Sequence, residues 1–361
     1  MEKMKVALLN PMVPHYREEF FKLLSSYVDL DIYTYQNQYS KKNFKISDLS
    51  VKSLKSLLFF KKRFLLFSIT PFLFKRYHTI ILMLHFGHIS TWLLLLLKVF
   101  HRKKIILWGQ GISVKRYMEE ERKPNLLLKQ MIRMADGVWL YTEKERDQWK
   151  AIFPNKKIVA LNNTISGVGE ILGAKNSHLD RQKLKEKYKI VHQTCFIFCA
   201  RFDNPHRRVD LLVNSIKDLD SSVYGFIIIG EGQFKPDFSS YPNVYDFGSV
   251  YDKQIKDELF EVADIYYQPG WVGLSVVEAM AYGKPILTYK RSEEVLQCVE
   301  YDYIKDHVNG ILLADSDDFK ERVPLLSDSE ISAMGRNSKE FVRRKLTMKS
   351  MVENALSIMA I

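Results

Sequence analysis

A helix start preceded by glycines lies in the segment 268–286, which reads QPGWVGLSVVEAMAYGKPI. The pattern predicts a strand end, a turn that contains Gly270 and Gly273, and a helix from about Ser275. Backbone N–H groups at a helix start bind anions, and glycines let a ligand come close to the backbone. Glu278 lies one turn into this helix, where its carboxylate can accept hydrogen bonds from sugar hydroxyls. The spacing predicts either a diphosphate site or, equally well, a capping box of Ser275 and Glu278 without a ligand.

Arginines follow a strand that ends near Ala200. Arg201 comes directly after the apolar run, and Arg207 and Arg208 stand where the next helix begins. Guanidinium groups in such positions can hold a phosphate through paired hydrogen bonds. A basic turn alone is more often solvated than liganded. The combination of this turn with the helix start near Ser275 is what favours an anion site.

Short apolar runs that alternate with amphipathic stretches must position these residues. Such alternation is typical of parallel sheets covered by helices on both faces. The pattern lapses once and then resumes, which predicts an α/β protein of two Rossmann-like doubly wound domains that face a cleft. The predicted boundaries are 1–165 for an amino-terminal domain, 166–189 for a linker and the helix after it, 190–335 for a carboxy-terminal domain, and 336–361 for a last helix that packs back toward the amino-terminal domain. The predicted strands are 5–9, 32–35, 80–84, 104–108, 137–141 and 157–161 in the first domain and 194–200, 224–229, 244–247, 263–267, 285–289 and 310–313 in the second.

The segment 268–286 resembles the Glu-x7-Glu signature of the retaining nucleotide-sugar glycosyltransferases of family 4, of bacterial polysaccharide and lipopolysaccharide type, which have the GT-B fold. Glu278 matches the second glutamate, which the resemblance implies holds the donor ribose. Gly270 stands in place of the first. Gly273 and Leu274, followed by Ser275, match the positions whose backbone amides meet the donor phosphate.

Other segments of the second half resemble the same family. Arg201 and Arg207 match the Arg and Lys that neutralise the diphosphate, and with Glu278 they are the predicted catalytic residues. Gly230 matches a strand-Gly-x-Gly turn, and Phe247 and Gly248 match a segment that borders the nucleotide base. The resemblance thus makes 190–335 the donor-binding domain and 1–165 the acceptor-binding, membrane-facing domain. The predicted donor-binding residues are Arg201, Arg207, Gly230, Phe247, Gly248, Gly270, Gly273, Leu274, Ser275 and Glu278.

The first half supplies acceptor-side candidates. His15 and Arg17 lie in a loop that is similar to the Pro-x-Tyr-Arg loop of bacterial polysaccharide members, although a histidine there more often packs in the loop than binds a ligand. Gln110 stands where the family pattern Trp-Gly-His-Gly has its histidine. Glutamine can donate and accept hydrogen bonds but does not titrate near neutral pH, so an acid or base role is lost at this position.

The resemblance implies transfer of a sugar from a nucleotide-diphosphate sugar to an acceptor with retention of configuration. We expect no cofactor and no metal ion, because the Asp-x-Asp triplets at 29–31, 218–220 and 315–317 lie in contexts that argue against a metal site. Two other interpretations stay open. One is an epimerase or hydrolase of the same fold that acts on a nucleotide sugar. The other is a scaffold that has lost catalysis, suggested by Gly270 and Gln110 together.

Charge is distributed unevenly along the 361 residues, whose formal net charge is +12. Residues 1–165 carry 29 Lys and Arg against 13 Asp and Glu, a net of +16, whereas 166–361 carry 25 against 29, a net of −4. The stretch 49–118 has 13 basic residues and no acidic one, and it mixes them with Leu and Phe. This mixture favours an anionic membrane surface over nucleic acid as a partner.

The predicted location is the cytoplasm, with peripheral association at the inner face of the cell membrane. Three cysteines are too few for a disulfide framework and fit a reducing compartment. The start of the chain lacks the pattern of a signal peptide and predicts a strand instead. The apolar stretch 80–97 contains His85, His88 and other polar residues, so we expect a buried strand and then a helix from about Ser90, in preference to a spanning helix. The predicted partners are a nucleotide-sugar donor and a saccharide acceptor, most plausibly lipid-linked.

Overall fold

The structure is a computed structural model that describes residues 3–35, 49–61, 63–174 and 180–359. Chain contacts divide it into two compact units: unit 1 comprises Met1–Gly167 and Thr347–Ile361, and unit 2 comprises Val168–Leu346. Each unit is built on one parallel sheet with helices, which confirms the predicted class of two doubly wound α/β domains. Residues 36–48, 62, 175–179 and 360–361, on which parts of the predicted domains, linker, basic stretch and last helix fall, lie outside the described residues.

Unit 1 contains a seven-stranded parallel sheet and a separate two-stranded antiparallel hairpin. The sheet strands are β1 (Lys5–Asn10), β2 (Asp29–Thr34), β3 (Ser50–Ser53), β6 (Thr79–Met83), β7 (Lys104–Gly109), β8 (Gly137–Leu140) and β9 (Lys157–Ala160), and the hairpin is β4 (Ser56–Phe59) with β5 (Phe64–Phe67). The helices are α1 (Glu18–Tyr27), α2 (Thr70–Phe74), α3 (Ile89–Leu96), α4 (Lys98–His101), α5 (Tyr117–Arg122), α6 (Leu126–Met134) and α7 (Glu143–Ile152), with 3-10 turns at His15–Arg17 and Val114–Arg116.

The strands of the unit 1 sheet are apolar because both faces are covered. Ile80 and Leu82 of β6 are fully buried in one core cluster, and Ile81 between them is fully buried in another on the opposite face. The sheet order is β3-β2-β1-β6-β7-β8-β9, so the chain reverses its direction of growth between β1 and β6. Such a reversal opens a crevice at the carboxyl ends of the two strands.

Unit 2 repeats this plan with a six-stranded parallel sheet in the order β12-β11-β10-β13-β14-β15. These strands are β10 (Thr194–Cys199), β11 (Tyr224–Ile229), β12 (Val244–Asp246), β13 (Ile265–Tyr267), β14 (Ile286–Tyr289) and β15 (Gly310–Leu313). The helices are α8 (Val168–Gly173), α9 (Arg181–Lys187), α10 (Val209–Asp218), α11 (Lys253–Val262), α12 (Ser275–Ala281), α13 (Ser316–Arg322) and α14 (Asp328–Lys345), with 3-10 turns at Pro205–Arg207, Val299–Tyr303 and Val323–Leu325. Its reversal lies between β10 and β13.

The chain returns to unit 1 at Thr347, which is later than the predicted boundary at 336. Helix α14 continues to Lys345 within unit 2, and the Thr347 hydroxyl then accepts a hydrogen bond from the Ser350 N–H and caps helix α15 (Met348–Leu356). The buried side chains of Met351 and Val352 belong to the core of unit 1. The physical boundary is therefore this cap and not a point inside α14.

Every predicted strand is present, and the described part of the chain contains three strands that were not predicted. Strands β3, β4 and β5 lie at 50–67, within the stretch interpreted only as a basic and apolar surface. The stretch 80–97 forms β6 and α3, as expected. Within the described residues, no helix has the length and apolar character to cross a membrane.

Candidate functional site

The reversal between β10 and β13 brings two loops of unit 2 together at the carboxyl end of the sheet. The loop after β10 runs from Ala200 to Arg208, and the loop after β13 runs from Gln268 to Leu274. The two are joined directly, because the Gly270 N–H donates a hydrogen bond of 3.2 Å to the Arg207 carbonyl. Five of the ten residues predicted to bind a donor lie on these two loops, and two more, Ser275 and Glu278, lie on the helix that follows the second loop.

Arg207 places an unneutralised cation in this crevice. Its Nε and Nη1 atoms are buried and have no hydrogen-bond partner among the residues that the structure describes. Burial, and also repulsion from Arg201, lowers the pKa of the Arg207 guanidinium. A buried charge without a partner is costly, so the arrangement is what an anion-binding site requires. Arg201 is exposed and close enough to reinforce the positive potential.

Glu278, on α12, pairs with Lys256 of α11. The Lys256 Nζ donates a hydrogen bond of 2.6 Å to a carboxylate oxygen of Glu278, and the two side chains are 25% and 18% exposed. Burial opposes the charge of Lys256, but the attraction of Glu278 outweighs it and raises the lysine pKa. The pair leaves the second carboxylate oxygen of Glu278 free of any protein hydrogen bond within the described residues, so this atom can accept a hydrogen bond from a ligand.

Two neutral groups, the Cys199 thiol and the Tyr266 hydroxyl, are within the electrostatic influence of both Arg207 and Glu278. Burial first, and then the charge of Glu278, raises the pKa of the Cys199 thiol to about 12. The Tyr266 hydroxyl donates to the Cys199 carbonyl at 3.2 Å and to the Gln268 amide oxygen at 2.8 Å. Both Arg207 and Glu278 act electrostatically on Cys199 and Tyr266. The structure therefore brings the predicted arginine and glutamate to the same end of the sheet.

The start of α12 does not form the capping box that the sequence allowed. The Ser275 hydroxyl donates instead to the amide oxygen of Gln268 at 3.0 Å, and the residue before the helix, Leu274, offers no side-chain cap. The N–H groups of Gly273 and Leu274 donate to no acceptor within the described parts of the chain. Of the two interpretations, the helix start as an open group of donors is the one that fits.

Gly270, where the family signature has its first glutamate, is a packing position. A Cβ atom built on it would lie 2.5 Å from the His206 carbonyl oxygen and 3.0 Å from Cγ of Arg208. The His206 ring stacks on Trp271, with centroids 5.1 Å apart, and Trp271 has a φ of 53°. The two loops thus approach too closely for any side chain at Gly270, which is buried and presents no group of its own to a ligand.

Gln297 holds the loop after β13 in place through hydrogen bonds of its side chain. Its side-chain oxygen accepts a hydrogen bond of 2.7 Å from the Val272 N–H, and its amide nitrogen donates to the Pro269 and Tyr289 carbonyls. Sequence analysis missed Gln297, Gln268 and Lys256. The available signal for Gln297 was a polar residue in an apolar run, since Val295, Leu296, Cys298 and Val299 surround it.

The remaining donor-side candidates lie one and two strands away. Gly230 has a φ of 147°, and a Cβ on it would lie 2.0 Å from the Ala200 carbonyl oxygen. Its N–H donates to the Gly248 carbonyl at 2.7 Å, which joins the loops after β11 and β12. Phe247 packs edge-to-face on Tyr188, with centroids 5.5 Å apart. Gly230 thus packs against the backbone of the loop that contains Arg201, whereas Phe247 and Gly248 belong to the loop after β12.

Unit 1 has a cavity of about 500 Å³ at the carboxyl ends of its own strands. Two histidines that the sequence analysis did not assign to a site, His85 and His88, line it with their rings 4.8 Å apart. Burial first, and then His85, lowers the pKa of His88 to about 3, so this ring is neutral at ordinary pH. Other lining residues are Pro11, Tyr35, Gln110, Ser113, Lys115, Arg116, Glu120 and Tyr141.

The acceptor-side candidates occupy three different environments. Gln110 lines the cavity. His15 is exposed and does not line it. Arg17 is only 5% exposed, and its guanidinium lies 4.7 Å from the Trp108 ring centroid and 5.3 Å from that of Tyr141. Arg17 therefore supports the wall of the cavity from behind and does not face into it.

Among the residues that the structure describes, no group of three or more His, Cys, Asp or Glu side chains is placed to hold a metal ion. The predicted metal independence stays a prediction. The Asp-x-Asp triplets have structural roles: Asp31 accepts a hydrogen bond from the Tyr77 hydroxyl, and Asp315 caps α13.

Comparison with known proteins agrees with this geometry. Residues 193–328 match the family model described as glycosyl transferases group 1. No curated protein sequence matches the chain. A glycosyltransferase from Rickettsia africae has 13% sequence identity and a TM-score of 0.64, over 99% of this chain and 98% of that one.

Two further solved structures are similar over their whole length. Anabaena Alr3699/HepE, in complex with UDP and glucose, has 13% identity and a TM-score of 0.62, over 98% of each chain. The lipopolysaccharide outer core galactosyltransferase WaaB has 15% identity and a TM-score of 0.66, over 98% of this chain and 99% of that one. The fold and the family model together confirm the resemblance to GT-B glycosyltransferases: this is a GT-B protein whose residues 193–328 match glycosyl transferases group 1.

Proposed function

We propose that this protein is a glycosyltransferase that moves a sugar from a nucleotide-diphosphate sugar to a saccharide acceptor. The observation that carries the proposal is the guanidinium of Arg207 at the strand-order reversal of unit 2, whose buried Nε and Nη1 have no hydrogen-bond partner among the residues that the structure describes. A diphosphate supplies the missing negative charge. The free amides of Gly273 and Leu274 and the exposed Arg201 add donors for the same group.

The proposed chemistry follows from where charge develops. When the bond from the sugar to the diphosphate breaks, negative charge grows on the leaving phosphate, and fixed positive groups that already point there stabilise the transition state. Arg207 and Arg201 supply that charge, so we propose that the reaction needs no metal ion or other cofactor. Glu278 would hold the donor ribose through its second carboxylate oxygen. Retention of configuration, with a leaving phosphate oxygen helping to deprotonate the acceptor, is the finer proposal that the family resemblance supports.

We further propose that the acceptor is lipid-linked and is met at the cavity of unit 1. The assembly of cell-surface polysaccharide or lipopolysaccharide uses such acceptors, and the basic and apolar stretch 49–118 supports a location at the inner face of the cell membrane. His85 and Gln110 line this cavity, where both side chains can form hydrogen bonds with an acceptor.

The test has two steps. Calorimetry with UDP, GDP, ADP and dTDP measures nucleotide binding, and mass spectrometry then follows transfer from the matching sugar nucleotides to a panel of lipid-linked saccharides. We expect one nucleotide to bind at micromolar concentration and one acceptor to gain a hexose mass. Absence of binding to all four would instead support a scaffold without catalysis. Release of nucleotide without a glycosylated product would support the epimerase or hydrolase.

A further inference from the structure

The β4–β5 hairpin of unit 1 has an outward face made only of large apolar side chains. Alternate residues of a strand point to opposite faces, and the register pairs Leu57 with Leu66 and Phe59 with Phe64 on one of them. Leu57 is 61% exposed and Leu66 is 40% exposed. On the other face, Leu65 is buried in the core of unit 1. A two-stranded sheet in water normally carries polar residues on its outer face, so folding alone does not explain this one.

The turn of the hairpin also exposes a large apolar side chain. Phe60 and Lys61 have φ values of 47° and 54°, in the left-handed region that favours glycine or asparagine. Phe60 is also 73% exposed. A phenylalanine here costs backbone strain and exposes a large apolar ring, whose aromatic contacts among the described residues are a tilted one with Phe59 and an edge-to-face one with Phe64. Strain of this kind is typical of functional positions.

The basic charge around the hairpin indicates which kind of partner binds its apolar face. Lys61 and Arg63, both exposed, follow Phe60 in the sequence, and the whole stretch 49–118 has no acidic residue. A second copy of the chain would bring basic groups against basic groups. A bilayer that contains anionic lipids offers both an apolar layer for Leu57, Phe60 and Leu66 and phosphates for the cations.

The hairpin is fastened to the loop that lines the unit 1 cavity. The Leu65 N–H donates a hydrogen bond of 2.9 Å to the Gly87 carbonyl, between the two cavity histidines. The Ser90 hydroxyl donates to the Phe67 carbonyl at 2.6 Å and accepts from the Phe67 N–H at 2.8 Å. A surface that holds the hairpin therefore holds the His85–His88 loop at a fixed depth beside it.

We infer that the β4–β5 hairpin inserts its apolar outer face and Phe60 into the head-group boundary of an anionic bilayer and thereby holds the unit 1 cavity at the level of the lipid head groups. The inference concerning the cavity rests on the proposed function, since it assigns the acceptor to the lipid phase. The insertion itself does not depend on that function.

Flotation with vesicles of phosphatidylcholine, with and without phosphatidylglycerol, tests the insertion. The variants are Leu57→Ser/Leu66→Ser, Phe60→Ser and Lys61→Glu/Arg63→Glu. The matched control is Leu325→Ser, because Leu325 is an 80% exposed leucine in unit 2. We expect the wild type to float only with anionic vesicles. Each hairpin variant should bind these vesicles at least about tenfold more weakly, and the control should bind them as the wild type does. Melting curves of all variants confirm that each is folded.

Three results would overturn the inference. Hairpin variants that float like the wild type would show that another surface binds lipid. Equal flotation without phosphatidylglycerol would remove the role of the cations. A wild type that forms dimers, which dissociate in the leucine double variant, would assign the face to a second copy. A separate assay of transfer to the same saccharide on a lipid or on a water-soluble carrier distinguishes the two proposals: loss of both transfers contradicts the function, whereas equal rates on both carriers contradict only the placement of the cavity.

Discussion

The two units share a doubly wound parallel-sheet topology, but different side chains lie at their two strand-order reversals. In unit 2, the crevice between β10 and β13 contains the unneutralised Arg207 and the unused amides before α12. In unit 1, the cavity next to β1 and β6 contains the neutral His88 and is backed by an arginine enclosed in aromatic rings. Topology therefore determines where a ligand can bind, and the loop residues determine its charge. The reversal in unit 2 presents an arginine whose buried nitrogens have no partner among the described residues, whereas the cavity of unit 1 combines two close histidines with Lys115 and the Arg116–Glu120 ion pair.

The replacement of Arg207 is the change that most directly tests this contrast. We expect Arg207→Ala to weaken nucleotide diphosphate binding about 100- to 1,000-fold, because the guanidinium is the buried cation of the site. Calorimetry measures the affinity. Arg343→Ala is the control, since Arg343 is an exposed residue paired with Glu340. An affinity within threefold of the wild type would place the anion site elsewhere.

Substitutions in the Lys256–Glu278 pair should have nearly as large an effect, but they should lower the rate of transfer more than the affinity for a diphosphate. We expect Glu278→Ala to lower kcat/KM about 100-fold through loss of the ribose contact, and Lys256→Met about tenfold through loss of the contact that positions the carboxylate. Steady-state transfer kinetics give both values. Lys253→Met on the same helix removes an exposed pair with Asp257 and should leave the kinetics unchanged. If Lys256→Met and Lys253→Met behave alike, Glu278 needs no positioning.

A side chain at Gly270 should destabilise unit 2 and should not restore a missing contact. The Cβ of Gly270→Ala meets the His206 carbonyl at 2.5 Å, so the two loops must separate, at a cost of about 2 kcal/mol. Gly270→Glu should cost more. Thermal unfolding measures both, and Gly273→Ala, whose Cβ has 3.8 Å to its nearest neighbour, should unfold as the wild type does. Higher activity in Gly270→Glu would show that the loop can accept the family's first glutamate.

An effect as small as that of Gly270→Ala is expected for unit 1 and depends on pH. His88 has a pKa near 3 in the folded chain against an ordinary value of 6.5, so the unfolded chain binds more protons between these values. The contribution of His88 to stability is complete above about pH 6.5 and is lost as the pH falls toward 3. At pH 5 we expect a loss of about 2 kcal/mol. Hydrogen exchange of β6 and α3 measures it, with β10 and β13 as the internal reference. The same loss in His88→Leu would exclude His88 as its cause.

Periodicity was sufficient to predict most of the fold. Buried parallel strands are continuous apolar runs, and every predicted run is a strand. The hairpin was missed because its outer face is as apolar as its inner one, so the alternation that marks an ordinary surface hairpin is absent. The later return to unit 1 was missed because α14 and α15 are both amphipathic, and only the cap at Thr347 separates them.

Sequence was less informative about the site, for a physical reason. Arg207 and Glu278 could be found because each belongs to a local pattern, a strand followed by a turn or by a helix start. Lys256 and Gln297 could not, since each acts on a residue from another part of the chain, across 22 and 25 positions respectively. Gly270 shows the opposite error. Its resemblance to a ligand-binding position concealed a requirement of space that only the neighbouring loop reveals.

The capped helix α15 has a consequence for how the chain is made. Unit 1 needs residues from both sides of unit 2 in the sequence, because Met351 and Val352 fill part of its core. During synthesis the segment 168–346 is complete before that last helix emerges, so unit 2 can fold while unit 1 still exposes an apolar groove over its sheet. A ribosome-bound intermediate of this protein would therefore contain a folded unit 2 attached to a unit 1 whose core still lacks α15.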